Sequence, residues 1–390
     1  MSLPHFVERL AHTEPQMMAR SWMSTSRQRS VDETPRALLC TSNGVGLGHV
    51  TRMMAIGQAL EPSMHSVLFT LSAALPIPTR AGFTTEHLAS AHQFDASGYS
   101  WNDLLSERVD QLIAVYHPDV VLFDGVHPYQ GLRDALRANR RRVKSIWVRR
   151  GMWKPGVAPD LRPLTKHFDH IIEPGDYARG YDHGITASER AKVSVVAPIV
   201  YAHPSSRPGR EQSCAELGLR PDHTNVLVQL GAGQINDIDS AVGAVTASLG
   251  QHPGVTVAVA RSELSADASG IGDSVVEIQR FPISHWFAAF DAAVVAAGYN
   301  SFTEVMSLGL PSIIVPNLET KTDDQDARSR WAHDHGLGVR WDGVSEDGLH
   351  TAVAAIVDPS ERGAMRARLA DLVPATGASE AAALVQEWSR

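Results

Sequence analysis

Residues 292–316 constrain this chain more than any other stretch. An apolar run, Ala292 to Ala296, breaks at a glycine turn. The chain then passes through Gly298-Tyr-Asn-Ser-Phe-Thr-Glu304 and ends in a second apolar run, Ser312 to Val315, closed by Pro316. The pattern is strand, glycine turn, helix, strand, with the helix predicted to start at Asn300-Ser301 and to carry Glu304 in its first turn. A helix N-terminus offers unpaired N–H groups and a partial positive charge, which suits a diphosphate. A carboxylate just inside that helix can accept the two hydroxyls of a ribose. Asp324 and Gln325, on the following loop, can do the same for the hydroxyls of a sugar. In an ordinary strand–helix–strand unit, Ser301 would instead be the N-cap and Glu304 would close a capping box. Gly309, Pro311, Pro316, Asp324 and Gln325 downstream shift the balance toward a ligand site.

The rest of the chain limits what that site can serve. The 390 residues suffice for two domains with separate cores, and 43% hydrophobic with 20% charged residues is the make-up of a globular protein. A net charge of -8 and a pI near 6.1 leave no basic field for a nucleic acid. Two cysteines, Cys40 and Cys214, point to a reducing compartment, and the cytoplasm is the expected location. No run approaches the roughly 18 apolar residues of a membrane span, and residues 1–35 read as a polar, mobile tail without a secretory core. Oligomeric state is not readable.

From Arg36 onward strands alternate with helices. Strands are predicted at Ala37–Thr41, Ser66–Leu71, Val120–Phe123, Val143–Val148 and His170–Ile172, with helices between, notably 103–115 and 129–139. A Pro/Ser/Gly-rich linker, 202–212, separates this first domain (36–201) from a second (213–376). There the pattern restarts with Val226–Leu230, a helix 238–249 and Val255–Ala260. The expected class is α/β, two doubly wound Rossmann-like domains facing across a cleft, with a final helix in 377–390.

In the first domain, Gly44-Val-Gly46-Leu-Gly48-His49-Val-Thr-Arg52 follows a strand and opens a helix. The spacing is not the dinucleotide G-x-G-x-x-G, so a nicotinamide enzyme is a poor fit. His49 sits where the turn becomes helix, a position that favours a neutral imidazole facing the cleft. Asp124 ends an apolar strand in Val-Val-Leu-Phe-Asp-Gly, and reads either as a partner for His49 or as a turn former before Gly125. His127 on the same loop is a rival base. Arg149 and Arg150 end another strand and read as contacts for an anionic acceptor or donor phosphate, or as a solvated pair. With Gly46, Gly48 and Arg52, these residues make the expected acceptor side.

The Gly298–Pro316 stretch with Asp324-Gln325 resembles the donor-binding segment of inverting glycosyltransferases of the two-domain GT-B fold. These include the plant secondary-product glycosyltransferases and the N-acetylglucosaminyltransferase that forms lipid II. The resemblance implies that His49 deprotonates an acceptor hydroxyl with Asp124 orienting it. It implies that Gly231, Gly233 and Gln234 meet the donor diphosphate, that Arg280 and Phe281 lie beside the base, and that Gly298, Asn300, Ser301, Glu304, Asp324 and Gln325 complete the donor site. It also implies that the last helix crosses back to the first domain. The plant-type His is replaced by Ala296. That residue also stands where retaining enzymes carry a glutamate eight positions before Glu304, which favours inversion. The implied donor is a UDP-sugar, the acceptor an unknown hydroxyl compound, and no metal or other cofactor is expected. Asp323, Asp324 and Asp326 are read as surface acids favoured by a helix dipole. The segment Gly48-His-Val-Thr-Arg52 also resembles the UDP-sugar hydrolase of the pseudaminic acid pathway. A UDP-sugar 2-epimerase and a non-catalytic sugar-nucleotide binder are further alternatives.

Overall fold

The alternation of strands and helices becomes two parallel sheets. The computed structural model describes residues 34–42, 47–91, 101–157, 161–201, 207–231, 238–261 and 275–390. The tail expected in 1–35 and the glycines Gly46 and Gly233, with Gln234, lie outside them, apart from Thr34 and Pro35 of the tail.

The first sheet contains β1 (Arg36–Thr41), β2 (His65–Thr70), β3 (Thr84–His87), β4 (Val120–Asp124), β5 (Lys144–Val148), β6 (His170–Pro174) and β7 (Ser194–Val196), in the order β3-β2-β1-β4-β5-β6-β7. The second contains β8 (Thr224–Gln229), β9 (Val255–Ala260), β10 (Val275–Ile278), β11 (Ala292–Ala296), β12 (Ser312–Val315) and β13 (Val339–Arg340), in the order β10-β9-β8-β11-β12-β13. Every paired register is parallel. Helices cover both faces, so central strands such as Ala37-Leu-Leu-Cys40 and Val226-Leu-Val228 are apolar at every position and almost fully buried. The strands unread in the sequence, β3, β7, β10 and β13, are short or polar and stand at or near sheet edges, where the apolar run that marks a buried strand is not needed.

In each sheet the strand order reverses once, at β1/β4 and at β8/β11. Parallel open sheets bind ligands beyond the carboxyl ends of their strands at such points. His49 follows β1 and Asp124 ends β4, whereas Gly231 follows β8 and Gly298 follows β11. The fold therefore brings the sequence-predicted residues to the two reversal points.

Two corrections follow from the helices. Arg210–Leu217 is helical, so the helix begins inside the stretch read as a linker. The helix expected to start at Asn300-Ser301 instead runs Tyr299–Ser307 with Gly298 as its N-cap, because a cap needs extended backbone and Gly298 supplies it (ψ 149). Ser301 is then the third helical residue, no capping box forms, and Glu304 falls in the second turn rather than the first.

The last helix, Gly377–Trp388, leaves the second sheet and packs against the first. Ala381, Ala382 and Val385 share a core with Met53, Ile56 and Leu60. Its start is fixed by the hydrogen bond from Gly377 N to Pro198 O (3.1 Å) and by an isolated bridge between Ile199 and Thr376. A Cβ at Gly377 would lie 1.9 Å from the Ala197 carbonyl oxygen, so backbone must move to admit one. Gly377→Ala is therefore expected to destabilise the protein by about 1–3 kcal/mol. An unfolding midpoint equal to that of the unsubstituted protein would refute this docking.

Candidate active site

The first half of the site is built on the β1–β4 pair. Parallel register sets Thr41 opposite Asp124, at the carboxyl ends of two neighbouring strands. The helix Gly48–Leu60 starts there and places His49 in its first turn. Its Nδ1 lies 2.6 Å from Asp124 Oδ1. Arg52, one turn further, donates from Nη2 to the same oxygen (2.6 Å) and from Nε to Oδ2 (2.8 Å). The Arg52 Nη2 also stands 3.1 Å from His49 Nδ1. These distances fix the tautomer. A bare Nδ1 at 2.6 Å from a carboxylate oxygen would set two lone pairs against each other, so Nδ1 carries the proton and donates it. In the neutral form of the ring Nε2 is then the acceptor.

Asp124 is 1% exposed. Burial alone would raise its carboxyl, but Arg52 first and His49 second outweigh burial and hold it below the usual carboxylate range. The turn reading of Asp124 also has a basis, since Ser42 N donates to its carbonyl (2.9 Å) and a Cβ at Gly125 would come within 2.4 Å of the Phe123 ring. His127 is exposed and packs beside Trp153, with ring centroids 5.5 Å apart.

The second half of the site is the N-terminus of the helix Tyr299–Ser307. The first closing bond runs from Phe302 N to Gly298 O (3.0 Å), which leaves the N–H groups of Tyr299, Asn300 and Ser301 without an acceptor inside the helix. Glu304 is 7% exposed. Burial pushes its carboxyl up to about 7, while the Ser284 hydroxyl pulls slightly the other way. Gly231 takes φ +102 at the end of β8, a conformation open to glycine but strained for other residues. Arg280 is exposed, and Phe281 stacks on Tyr201 with centroids 5.9 Å apart.

The halves meet along a seam of buried charge. Asp323, 5% exposed, binds Arg150 (2.9 Å) and Arg328 (2.6 Å), and Arg328 also binds Asp176 beyond β6 (2.7 Å). This corrects the reading of Asp323 as a surface acid. Burial would raise its carboxyl, and Arg150 and Arg328 reverse the effect to hold it low. Asp324 N donates to Met152 O (2.8 Å) and Lys154 N to Thr322 O (2.7 Å), so the loop after β5 is laced to the loop after β12. Asp324 caps the helix Gln325–Asp334 by accepting from Ala327 N (3.0 Å), and Asp326 pairs with Arg330 and Arg340. The Gln325 amide is already engaged at both ends, accepting from Asn317 N (3.0 Å) and donating to Asp323 (3.2 Å). Arg149 does not reach the cleft. It is 0% exposed and paired with Glu173 (3.1 Å), which corrects its assignment to the acceptor side.

Tyr299 escaped the sequence reading. Its hydroxyl donates to Gly175 O (2.9 Å) and accepts from Ile199 N (3.1 Å), and Arg52 lies over its ring at 5.1 Å. Asn300 completes the crossing, donating from Nδ2 to Gly48 O (3.3 Å) and accepting at Oδ1 from Arg52 Nη1 (3.4 Å).

Solved structures of similar fold cover nearly the whole chain. The kitacinnamycin glycotransferase aligns at a TM-score of 0.62 and 16% identity, covering 92% of this chain and 100% of its own. Spinosyn rhamnosyltransferase SpnG complexed with thymidine diphosphate aligns at 0.60 and 16%, covering 91% and 100%. MurG of Acinetobacter baumannii aligns at 0.59 and 12%, covering 90% and 100%. The chain has the GT-B fold. Residues 265–384 match the glycosyltransferase family 28 C-terminal domain. The sequence is also similar to the UDP-N-acetylglucosamine--N-acetylmuramyl-(pentapeptide) pyrophosphoryl-undecaprenol N-acetylglucosamine transferase of Nocardioides sp., 31% identical over 193 residues, or 46% of this chain and 51% of that protein. The enzyme of the same name from Desulforudis audaxviator is 30% identical over 173 residues, 40% of this chain and 46% of its own. This GT-B chain thus spans about half the length of the curated relatives it matches. No helix among the described residues is long and apolar enough to cross a membrane.

The buried carboxylate of Glu304 gives a measurable handle. Its pKa in the folded chain lies above the ordinary value of 4.5, so the folded state holds the proton more tightly than the unfolded state. The native state is then unpenalised below pH 4.5 and loses stability as pH rises toward 7. The difference amounts to on the order of 3 kcal/mol. Glu304→Gln is expected to match the unsubstituted GT-B protein in stability near pH 4.5 and to exceed it near pH 8. Parallel unfolding curves across that range would show the carboxyl to be unshifted.

Proposed function

We propose that this protein transfers a hexosyl or N-acetylhexosaminyl group from a UDP-sugar to a hydroxyl acceptor, with inversion and without a metal ion. One observation carries the reading: an imidazole with its Nδ1 2.6 Å from Asp124 is flanked by Gly48 and Arg52, and both of these bond to Asn300 at the N-terminus of the helix Tyr299–Ser307. The family 28 match over residues 265–384 supports it, as do relatives and fold neighbours whose names describe glycosyl transfer.

In this reading the acceptor hydroxyl lies against His49 Nε2. As its oxygen attacks the anomeric carbon, Nε2 takes the hydroxyl proton and the bond from that carbon to the β-phosphate oxygen breaks. Attack comes from the face opposite the nucleotide, so the configuration inverts. Asp124 stabilises the imidazolium, and because it is already ionised it takes up no proton. The departing diphosphate gathers charge beside the N–H groups of Tyr299, Asn300 and Ser301, aided by the helix dipole. Glu304 receives the ribose hydroxyls. Arg280 and Phe281 border the base, with Arg280 exposed and Phe281 already resting on Tyr201. Of the expected sugar contacts, Asp324 retains an uncommitted carboxylate oxygen, whereas Gln325 contributes mainly by bracing the Asn317–Asp323 loop. Gly231, Gly233 and Gln234 are assigned to the diphosphate.

Ribose hydroxyls donate to the ionised form of Glu304, and dTDP lacks one of them, so UDP is the favoured nucleotide. A thermal-shift screen of UDP-, dTDP- and GDP-sugars is expected to give its largest shift with UDP compounds and to lose it in Glu304→Ala. A shift with GDP alone, or one unaltered by the substitution, contradicts the donor assignment. His49→Ala should slow turnover about 10²–10⁴-fold with UDP affinity and folding retained. Full activity in that variant would move the role to His127 or another group. Equal UDP release with and without candidate acceptors would identify water as the acceptor, hence a hydrolase.

A further inference from the structure

The side chain of Asn300 does something its place in the donor segment does not require. Its backbone N–H is one of the three presented by the helix N-terminus, yet its amide turns away from that site and reaches the first sheet's helix. Nδ2 donates to the carbonyl of Gly48 and Oδ1 accepts from Arg52. These two residues stand immediately before His49 in the chain and one turn after it. A single amide therefore clips both flanks of the residue assigned as base. The donor and acceptor ends of the amide suit these partners in one orientation only: the flipped amide would set N–H against guanidinium and oxygen against carbonyl.

Two further facts make this clip responsive. At 3.3 and 3.4 Å, both bonds are longer than the usual 2.7–3.2 Å of an N–H···O bond. The helix end is also hinged close by, because the Tyr299 hydroxyl is held by Gly175 and Ile199 on the first-sheet side. An anion on the N–H groups of Asn300 and Ser301 pulls on the residue whose side chain holds Gly48 and Arg52.

We propose that Asn300 is a positioning residue that transmits occupancy of the diphosphate site to the imidazole, through Gly48 on one flank and Arg52–Asp124 on the other. The base is then drawn into line when a nucleotide is bound. The proposal rests on the donor and base assignments above, and adds that the two are mechanically linked by one side chain.

The test uses the full chain, with UDP as the probe, or dTDP if UDP releases no binding heat. The proton on His49 Nδ1, shared with Asp124, should give a far-downfield NMR signal that His49→Gln removes. In the unsubstituted protein, saturating nucleotide is expected to shift that signal. In Asn300→Ala the shift should vanish while the Kd measured by calorimetry stays within about threefold, well short of the tenfold that 1.4 kcal/mol represents. Asn300→Asp, which keeps the acceptor for Arg52 and loses the donor to Gly48, should retain part of the shift. An undiminished shift in Asn300→Ala overturns the proposal. So does a Kd weakened more than about tenfold, since Asn300 would then be a direct donor contact. Failure of the donor assignment looks different: the unsubstituted protein itself binds neither nucleotide.

Discussion

The cleft depends on one buried carboxylate with two claimants. Asp124 lies at the end of a central strand where burial alone would raise its pKa, and a neutral acid there would stabilise a charged imidazolium far less well. Arg52 resolves this by covering both carboxylate oxygens, at 2.6 and 2.8 Å. The cost falls on Arg52, whose guanidinium is 3% exposed and whose desolvation is outweighed by the charge and hydrogen bonds of Asp124. Each charge is tolerable because of the other, and removing either strands its partner. The imidazole is thus oriented by a pair already settled before any substrate arrives. The β1–β4 register and the three-residue spacing of His49 and Arg52 are what bring the pair together.

The seam between the sheets follows the same rule on a larger scale. Asp323 serves Arg150 and Arg328, and Arg328 serves Asp323 and Asp176. Buried ion pairs contribute little net stability because desolvation offsets their attraction, but they reject misalignment strongly. Met152 is held at φ 58, an uncommon conformation for a residue with a side chain, and its carbonyl there accepts from Asp324 N. The loop that carries the expected sugar contacts is thereby set by the first sheet as well as the second.

Much of this was legible in the sequence, for reasons that differ by residue. Central strands are buried on both faces, so their apolar runs announced themselves, and Ala292–Ala296, Ser312–Val315 and Val255–Ala260 have the predicted bounds. His49 and Asp124 were readable as candidates because one follows and the other ends such a strand, and as partners through the family resemblance. What escaped depends on long-range partners. Arg149 and Arg150 are adjacent in sequence, yet one is sealed against Glu173 and the other faces Asp323, and nothing local separates them. Asp323 looked like its neighbours Asp324 and Asp326 until Arg328 and Arg150 were placed beside it. Tyr299 offered no local signal at all, since its partners lie 124 and 100 residues away.

The pairing of these charges bears on how a diphosphate can be held. Arg52, Arg150 and Arg328 all approach the cleft, and each is already matched to an aspartate. In the proposed reading, charge on a leaving group is met in part by backbone N–H groups and a helix end worth roughly half an elementary charge. Such a site binds the diphosphate through fixed dipoles that need no rearrangement as charge develops, which favours the departing state over the intact donor. It also leaves ground-state affinity to the nucleoside, and so to the buried carboxyl of Glu304. Under the proposed reading, recognition and departure fall to successive turns of one nine-residue helix, the first serving the phosphates and the second the ribose.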